Sequence, residues 1–526
     1  MYNKRGNRFS SLSILRILSW VQVIDGGSTG SRLHVFEFTE AENDVEECVR
    51  RGSSRANVPL SAFGRLPSET ATHALLNATY VAEHLLPLFE YAATVIPAKY
   101  HRTTPVKYQA TAGMRLLDPV EQEAVYDALY QGLVQADTFV FASMQRVDIA
   151  TLGGDLEGFY GAVAANYLQG MIDTKLRLSS QESETQGPIG ALDMGGSSTQ
   201  IVYLTGGSEP KEAPLVCQAE SRICQSAVVA ASKSRPSQLN EEDFFATSYL
   251  SYGVDQFRER LWSTLVQEQE TEKELNPESC VSKFIQNPCA NAGFQVEWQG
   301  FTLVGTGDTP MCIRQVKRLI PHPEIPHDDH HEPRVGGVEH PPVRGKFFAM
   351  SLYFFTLDSL RHLSHANQQA HQALNLSWPN PSIGELHNAL DGLCSRSWQG
   401  DLEDIQHDSH QFTRAEVLPH RCLESVYMVT LLKDGFGFHS DSRDITFTFL
   451  VDGSEVEWSL GMALALHANP TPDTTTTTTE ESASDQEKGQ ESNQNATHGQ
   501  EGPSKRRAVA MAHSVIPPLF FFPESL

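Results

Sequence analysis

The pattern of apolar and polar residues repeats one arrangement at two places in the chain. Val21–Ile24 is a largely apolar run, followed by an aspartate, glycines and hydroxyl residues and then by a second apolar run within Arg32–Phe38. Leu192 likewise precedes an aspartate, glycines and serines, and Ile201–Leu204 follows them. Short apolar runs separated by glycine-rich turn residues are typical of β-hairpins. The sequence therefore predicts two strand–loop–strand units, each with an acidic, glycine-rich loop.

Other stretches predict helices and strands around these two units. Apolar residues spaced three or four positions apart indicate helices, whereas short apolar runs bounded by turn residues indicate strands. We expect helices over Ser68–Ala93, Glu121–Gln135, Ala162–Leu168 and Glu457–His467, and strands over Val106–Ala110 and Ile445–Val451. Two α/β regions therefore follow one another along the chain.

The first predicted strand is preceded by a basic and apolar segment. Residues 1–20 carry Lys4, Arg5 and Arg8 ahead of an apolar run that Arg16 interrupts. This run is too short to span a bilayer and has no clear small-residue cleavage site. We therefore interpret residues 1–20 as a degenerate targeting segment.

Three further segments lack the periodicity of a folded core. Residues 321–342 are a His- and Pro-rich insertion without regular ligand spacing, which we interpret as a solvated loop rather than a metal site. Residues 469–507 are a low-complexity tail rich in Thr, Glu, Gln and Ser, and we expect the tail to be disordered. Residues 508–526 form a short apolar end, which fits a truncated membrane anchor as well as a free hydrophobic terminus.

The composition restricts the partners of the protein. The chain has 526 residues, 40% of them hydrophobic, and a formal net charge of −25, as expected for a soluble multidomain protein without a broad basic face. Nucleic acid is therefore not an expected partner. A phosphate site is still compatible with this charge, because a cluster of backbone N–H groups and a metal ion act locally. The sequence specifies no oligomeric state.

The cysteines and glycosylation sequons favour an oxidising compartment. None of the eight cysteines forms a C-x-x-C pair, which argues against a zinc ribbon. Sequons occur at Asn77, Asn375 and Asn495. We therefore expect a disulfide-bonded glycoprotein of the secretory pathway or the cell exterior.

Both acidic loops have the residue types of a metal–phosphate site. Glycine allows the backbone to approach a ligand, and successive N–H groups in such a turn bind anions. Asp25 and Asp193 suit a hard divalent cation held through water. Neither loop is a Walker loop, because no Gly-Lys-Ser/Thr follows it. Neither is a dinucleotide-binding fingerprint, because the chain continues after each loop as a strand rather than a helix. Two such loops that face each other would grip a metal-bound polyphosphate from both sides.

A third acidic segment supplies a candidate general base. Gly153–Tyr160 places carboxylates in a Gly-flanked turn ahead of the predicted helix Ala162–Leu168. Hydrolysis of a phosphoanhydride needs a group that aligns and deprotonates water, and a positioned carboxylate contributes about 10²–10⁴-fold. Glu157 is the favoured candidate and Asp155 the alternative. Either residue could instead be an acid that only stabilises the helix N-terminus.

Five segments of the chain carry a family resemblance. They are Asp25–Arg32, Ala110–Leu117, Gly154–Tyr167, Ala191–Gln200 and Phe348–Phe355, with further matches at Ser248–Gly253, Arg258 and Trp458–Gly461. In this order they resemble the conserved segments of the apyrases, the nucleoside triphosphate diphosphohydrolase family that includes Golgi guanosine diphosphatases and ecto-ATP diphosphohydrolases. The resemblance covers about residues 21–468.

The resemblance implies a fold and a domain organisation. The fold would be a two-lobed α/β, ribonuclease-H-type fold similar to actin, sugar kinases and heat-shock ATPases, with the active site in the cleft between the lobes. Lobe I would comprise residues 21–160 and 445–468, because the last strand and helix return to it. Lobe II would comprise residues 161–444.

The resemblance also implies an activity and its residues. The activity would be metal-dependent hydrolysis of the terminal phosphates of nucleoside tri- and/or diphosphates, with release of orthophosphate. Asp25 and Asp193 would hold a hydrated Mg²⁺ or Ca²⁺, and Glu157 would be the general base. The water and the terminal phosphate would lie beside Thr111, Ser198 and Gln200. The phosphate loops would be lined by Ser28, Thr29, Gly30, Gly195, Gly196 and Ser197. The nucleobase would contact Phe354 and Phe355, although such a pair of aromatic residues fits core packing equally well.

The family pattern further pairs Cys394 with Cys422, and Cys280 with Cys312. Two alternative functions stay open at this point. A sugar kinase of the same superfamily would use a catalytic aspartate in the first lobe instead of Glu157. A non-catalytic nucleotide-binding protein would keep the grip on nucleotide without turnover, but the complete set of Asp25, Glu157 and Asp193 favours an enzyme.

Overall fold

The computed structural model describes most of the chain. The described residues are 16–40, 46–64, 77–179, 187–205, 215–217, 224–226, 238–275, 282–321, 334–364, 374–403, 410–451 and 453–469. Most of the predicted targeting segment and of the insertion, and all of the apolar end, lie outside these residues. So does nearly all of the predicted low-complexity tail.

The described residues contain strands β1 to β19. They are β1 (Arg16–Gly27), β2 (Gly30–Glu40), β3 (Glu46–Ala56), β4 (Val106–Ala110), β5 (Ile149–Thr151), β6 (Gly190–Met194), β7 (Ser198–Leu204), β8 (Leu215–Cys217), β9 (Cys224–Ser226), β10 (Phe244–Leu250), β11 (Phe284–Asn287), β12 (Gln295–Trp298), β13 (Phe301–Gly305), β14 (Arg334–Val335), β15 (Val338–Glu339), β16 (Phe347–Ala349), β17 (Ile445–Phe447), β18 (Leu450–Val451) and β19 (Ser454–Glu455).

Two five-stranded sheets share one topology. The first sheet has the order β3-β2-β1-β4-β5 and the second the order β10-β7-β6-β16-β17. In each sheet an antiparallel hairpin, β1–β2 or β6–β7, is extended by a third antiparallel strand on one side. Two parallel strands continue each sheet on the other side. The repeated hydrophobic pattern in the sequence thus corresponds to a repeated hairpin in the fold.

Helices cover both sheets. They are α1 (Ala78–Val95), α2 (Ala112–Arg115), α3 (Pro119–Gln135), α4 (Gly154–Leu168), α5 (Val254–Leu275), α6 (Thr309–Leu319), α7 (Leu352–Leu363), α8 (Ile383–Cys394), α9 (Arg421–Thr430) and α10 (Trp458–Ala468). Helix α4 packs on the second sheet, and α10 packs against both α4 and β1 of the first sheet. Within the part of the chain described, no helix is both long and apolar enough to cross a lipid bilayer.

A shared core joins the two sheets through these two helices. Val23 and Phe36 of the first sheet lie in the same buried cluster as Val202 of the second. Val163 of α4 and Leu464 of α10 complete this cluster. The apolar contacts fix α4 between the sheets, and α4 is the helix that carries the candidate base.

The structure corrects the predicted bounds of three elements. Strand β1 begins at Arg16, so residues 16–20 belong to the first sheet. Helix α4 begins at Gly154 rather than at Ala162, because its glycines allow close packing and are not turn residues: a Cβ on Gly158 would lie 2.7 Å from the Val202 side chain. Strand β17 pairs with β16, so residues 445–447 belong to the second sheet and not to lobe I as predicted.

Two disulfides are present among the described residues. Cys394 pairs with Cys422, as the family pattern implies. Cys312 pairs with Cys289, so the expected pairing of Cys312 with Cys280 is wrong. The sequence offered no signal for this choice, because Cys280 and Cys289 lie close together in the chain and only the fold selects between them.

Candidate active site

The first acidic loop is the tight turn between β1 and β2. Asp25 is paired with Arg32 and Gly27 with Gly30, which leaves Ser28 and Thr29 at the turn. Gly30 has a φ of 149°. A Cβ at this position would lie 2.5 Å from the Ala56 carbonyl oxygen, so both the conformation and the space require glycine.

The second acidic loop is the equivalent turn between β6 and β7. Asp193 is paired with Gln200, and the Gly195 N–H donates to the Ser198 carbonyl at 2.9 Å. A Cβ added to Gly196 would lie 3.2 Å from the Ser28 Oγ of the first loop. The two loops therefore face each other closely, as the sequence predicted.

Both loops line one cavity of about 630 Å³. Twelve of the fourteen sequence-predicted site residues line it: Asp25, Ser28, Thr29, Gly30, Thr111, Glu157, Asp193, Gly195, Gly196, Ser197, Ser198 and Phe355. Gln200 and Phe354 are not among the lining residues. The fold thus gathers residues from distant parts of the sequence at the facing turns of two sheets.

The two aspartates have the environment of a cation site. The Oδ1 atoms of Asp25 and Asp193 are buried and have no hydrogen-bond partner in the structure. Burial, together with the neighbouring negative charge of Glu157, raises the pKa of Asp25 to about 8. Burial also raises the pKa of Asp193. Buried carboxylate oxygens without a partner are costly, and a divalent cation would compensate both of them.

Glu157 lies in the first turn of α4 and is only 8% exposed. Its Oε2 accepts hydrogen bonds from Arg115 Nη2 at 2.7 Å and from Gln200 Nε2 at 3.2 Å. Burial raises the pKa of Glu157, whereas the Arg115 guanidinium opposes this shift. A carboxylate with a raised pKa that still has a cationic partner is suited to accept a proton from water.

Gln200 acts behind the surface of the cavity. It is 2% exposed, and its Nε2 lies 2.9 Å from Ser198 Oγ and 3.0 Å from Ser248 Oγ, besides its bond to Glu157. Arg115 Nη2 also lies 3.2 Å from Ser198 Oγ. These contacts form one network that holds the Glu157 carboxylate beside the Ser198 hydroxyl.

The two phenylalanines separate in the structure. Phe355 lines the cavity. Phe354 does not: it is 8% exposed, and its ring packs against Phe412 and Phe449 at centroid distances of 5.6 and 4.8 Å. Phe354 therefore packs in the hydrophobic core and does not line the cavity, because neighbouring residues of a helix point to different sides. Its contact with a nucleobase stays a prediction.

The sequence reasoning missed several charged residues of the site. Arg32, Arg55, Arg258, Arg414, Arg421, Asp255, Glu424 and Glu457 also line the cavity. Arg115, Ser248 and Arg258 stood inside recognised segments but received no role. Glu457 accepts a hydrogen bond from buried His34 at 2.8 Å. Burial alone would raise the pKa of Glu457, but His34 and Arg32 outweigh this effect and lower the pKa to about 2. No short-range signal marked Glu457, because its charged and imidazole partners come from the distant strands β2 and β3.

Two facing glycine-rich hairpins with buried carboxylates between them are the features expected of a protein that binds a phosphate chain together with a cation. Comparison with known proteins gives the family. The chain belongs to the GDA1/CD39 (nucleoside phosphatase) family, which matches residues 18–478. It is therefore a hydrolase that acts on phosphoanhydrides. Nucleoside triphosphate diphosphohydrolases depend in general on divalent cations.

Individual relatives agree with this assignment. The chain is 24% identical to the Golgi apyrase of Saccharomyces cerevisiae, over 84% of this chain and 69% of the relative. It is 27% identical to ectonucleoside triphosphate diphosphohydrolase 8 of Bos taurus, over 84% of this chain and 81% of the relative. A solved nucleoside triphosphate hydrolase from Neospora caninum has the same fold, with a TM-score of 0.56 and 17% identity over 86% of this chain and 92% of that structure. The fold is the actin-like fold that the family resemblance implies.

Proposed function

We propose that the cleft hydrolyses the terminal phosphoanhydride of nucleoside tri- and/or diphosphates by attack of water and releases orthophosphate. One observation carries the proposal. Asp25, Asp193 and Glu157, which come from three separate segments of the chain, line a single cavity together with both glycine-rich turns. This is the constellation that phosphoanhydride hydrolysis requires: a cation site, anion-binding loops and a carboxylate for the water.

Asp25 and Asp193 are the residues that would hold Mg²⁺ or Ca²⁺, through water. Both carry a buried Oδ1 without a protein partner, and oxygen donors of this kind suit hard cations rather than softer transition metals. When bound, the cation would neutralise charge on the phosphates and on the leaving oxygen.

The hairpin turns are the proposed phosphate grip. Ser28, Thr29 and Gly30 would act from the first sheet, and Gly195, Gly196 and Ser197 from the second. Their backbone N–H groups and hydroxyls provide donors for phosphate oxygens on both sides of the cavity. Because the turns connect paired antiparallel strands, these donors would be held in place before substrate binds.

Glu157 is the proposed general base. Water would attack the terminal phosphorus in line with the leaving oxygen, its proton would pass to Glu157, and the bond from phosphorus to the bridging oxygen would break. Ser198 would position the water directly, and Gln200 would do so through the Glu157 carboxylate and the Ser198 hydroxyl, to which it is hydrogen-bonded. Thr111 would lie near the water and the terminal phosphate, and Phe355 would contact the nucleobase.

We further propose that the protein acts in the secretory pathway or outside the cell. The named relatives include a Golgi apyrase and ectonucleoside enzymes. Two disulfides among the described residues fit an oxidising compartment. The sequon residues Asn77 and Asn375 are both exposed and therefore open to glycosylation.

Phosphate release from a nucleotide panel tests the proposed activity. Purified protein is incubated with ATP, ADP, GDP or UDP in Mg²⁺ or Ca²⁺, with AMP as a control because it has no phosphoanhydride. We expect orthophosphate from at least one tri- or diphosphate and none from AMP. Nucleotide turnover that requires an added sugar and releases no orthophosphate would instead indicate a kinase, and binding without turnover would contradict the hydrolase assignment.

A further inference from the structure

A second cluster of metal-ligating side chains lies outside the nucleotide cavity. Asp358 and His362 lie one turn apart on α7, and His410 reaches them from the segment that precedes α9. One ligand atom from each residue can be chosen so that all three lie within 4.8 Å of one another. Asp358 and His410 are buried, at 6% and 5% exposure, and His362 is partly exposed. The site is therefore largely shielded but reachable from solvent on the His362 side.

We propose that Asp358, His362 and His410 form a binding site for a transition-metal cation of the zinc class. Two imidazoles and one carboxylate are a typical three-ligand zinc set, with a fourth position open to water. Nitrogen donors disfavour Mg²⁺ and Ca²⁺, which prefer oxygen, so this site differs chemically from the Asp25–Asp193 pair.

The hydrogen bonds around the cluster leave lone pairs of His362 and Asp358 available for a metal ion. The Nδ1–H of His362 donates to the Asp358 main-chain carbonyl at 2.8 Å, so a neutral His362 has its lone pair on Nε2. No hydrogen bond to this Nε2 occurs among the residues that the structure describes. Arg361 Nε donates to Asp358 Oδ1 at 2.7 Å, which leaves Oδ2 as the oxygen that faces His410.

His410 and Asp358 already make the contact that a metal would replace. His410 Nε2 lies 3.0 Å from Asp358 Oδ2, and because a carboxylate only accepts, a proton occupies the space between them. A metal ion would take the place of this proton. The proton on the ring would then lie on Nδ1, which has an acceptor in Thr413 Oγ1 at 2.8 Å. Such a partner orients a histidine ligand and is a regular feature of zinc sites.

Closing the site requires only small movements. Zinc ligands lie about 2.0–2.2 Å from the ion, so the donors must come within about 3.5 Å of one another. The His362 Nδ1 already lies 3.6 Å from Asp358 Oδ1, and the side chain is 30% exposed. The ring can therefore rotate out of its hydrogen bond with the Asp358 carbonyl and turn a nitrogen lone pair toward the other two ligands. Bound metal would then tie α7, which carries Phe355, to the segment with Gln411, Phe412 and Arg414, all of which line the nucleotide cavity. The metal would thereby stabilise one wall of the cavity.

Cobalt absorption tests the site directly. The full-length protein is freed of metal by chelator, returned to buffer with excess Mg²⁺ to occupy oxygen-ligand sites, and titrated with Co²⁺, whose visible bands report nitrogen ligation at low coordination number. His362→Gln is the main variant, since this ring is partly exposed and its loss spares the core, and His410→Asn is the second. His439→Ala is the matched control, because His439 is an exposed imidazole 3.8 Å from the Asp441 carboxylate and has no third ligand among the described residues.

The expected result is one equivalent of Co²⁺ with visible bands that Zn²⁺ displaces. Removal of a hydrogen-bond partner of a metal ligand weakens metal binding about 10–100-fold. Removal of a ligand itself should have a larger effect, so His362→Gln should raise the Kd for Co²⁺ by at least about 100-fold. His439→Ala should leave the Kd unchanged. The proposal is overturned if the wild-type protein gives no such bands, or if His362→Gln binds as the wild type does. The second outcome would assign the metal to other histidines, such as those of residues 322–331.

Discussion

At the scale of single residues, the site carries buried charge that folding alone would avoid. Asp25 and Asp193 each have a buried oxygen without a partner, and Glu157 is buried beside them. Taking a carboxylate out of water disfavours its ionised form, which is why the pKa values of all three are raised. We interpret this cost as the consequence of a site prepared for a cation and a water molecule.

The first prediction concerns Asp25 and the pH dependence of stability in the metal-free protein. Burial raises the pKa of Asp25 to about 8 from 3.8, so between these values the folded state binds more protons than the unfolded state. Stability should therefore fall as pH rises through this window, and it should be highest below it. Asp25→Asn removes the charge and should unfold at higher temperature than the wild type at pH 8, while the two converge toward pH 4.

Thermal unfolding of both proteins in chelator checks this prediction. If the difference in unfolding temperature between the wild type and Asp25→Asn does not change with pH, Asp25 ionises freely in the folded state and the prediction is wrong. The same variant should bind divalent cations more weakly, because a neutral amide replaces one of the two proposed carboxylates.

The second prediction concerns the general base. Glu157→Gln should lower kcat by at least about 10²-fold while nucleotide still binds, since the amide keeps the hydrogen-bonding shape but cannot accept the proton. Asp155→Asn is the matched control: Asp155 lies in the same first turn of α4 but does not line the cavity. Steady-state phosphate release and equilibrium nucleotide binding measure both effects. If Asp155→Asn loses activity and Glu157→Gln does not, the roles are reversed.

At the scale of elements, the position of Glu157 depends on how closely α4 and α10 pack. A Cβ on Gly461 of α10 would lie 1.9 Å from the Tyr160 carbonyl oxygen of α4. Only glycine allows this approach. The contact fixes α4 relative to α10 and therefore to the first sheet, while the glycines of α4 seat it on the second.

The third prediction tests this contact. Gly461→Ala should lower the free energy of unfolding by about 1–3 kcal/mol, because overpacking forces the helices apart, and it should lower kcat as Glu157 moves. Gly161→Ala is the control on α4, since its Cβ would meet only the flexible end of Met350 at 3.4 Å. Alanine is the better helix former, so this control should be neutral or stabilising. Urea unfolding that ranks the two variants in the opposite order would contradict the packing argument.

Most of the elements that carry the site were predictable from the sequence. The two hairpins follow from local patterns, and β4 has the predicted bounds, Val106–Ala110. The start of α4 was not predictable, because glycines that serve close packing resemble glycines that make turns. Three further features depend on tertiary neighbours, about which a local sequence pattern carries no information. They are the separation of Phe354 from Phe355, the pairing of Cys289 with Cys312 and the contact of Glu457 with His34.

At the scale of the whole molecule, the site reconciles an acidic protein with an anionic substrate. The chain has a net charge of −25, which repels nucleotides at long range. Five arginines line the cavity, at positions 32, 55, 258, 414 and 421, but seven carboxylates line it as well, at positions 25, 157, 193, 255, 416, 424 and 457. The glycine-rich turns add backbone donors for phosphate oxygens. Binding therefore depends on individual donors, namely these arginines and the backbone N–H groups, and on a cation that would offset the negative charge of the carboxylates and of the phosphates.

The central claim is that a cation held by the two aspartates is required for hydrolysis, and a chelator titration of activity tests it most directly. Phosphate release from the active nucleotide is followed as excess chelator removes divalent cations and as Mg²⁺ or Ca²⁺ is then restored. We predict that hydrolysis stops in excess chelator and returns when either cation is added back to the wild type. Hydrolysis that continues at the full rate in excess chelator would contradict the cation site.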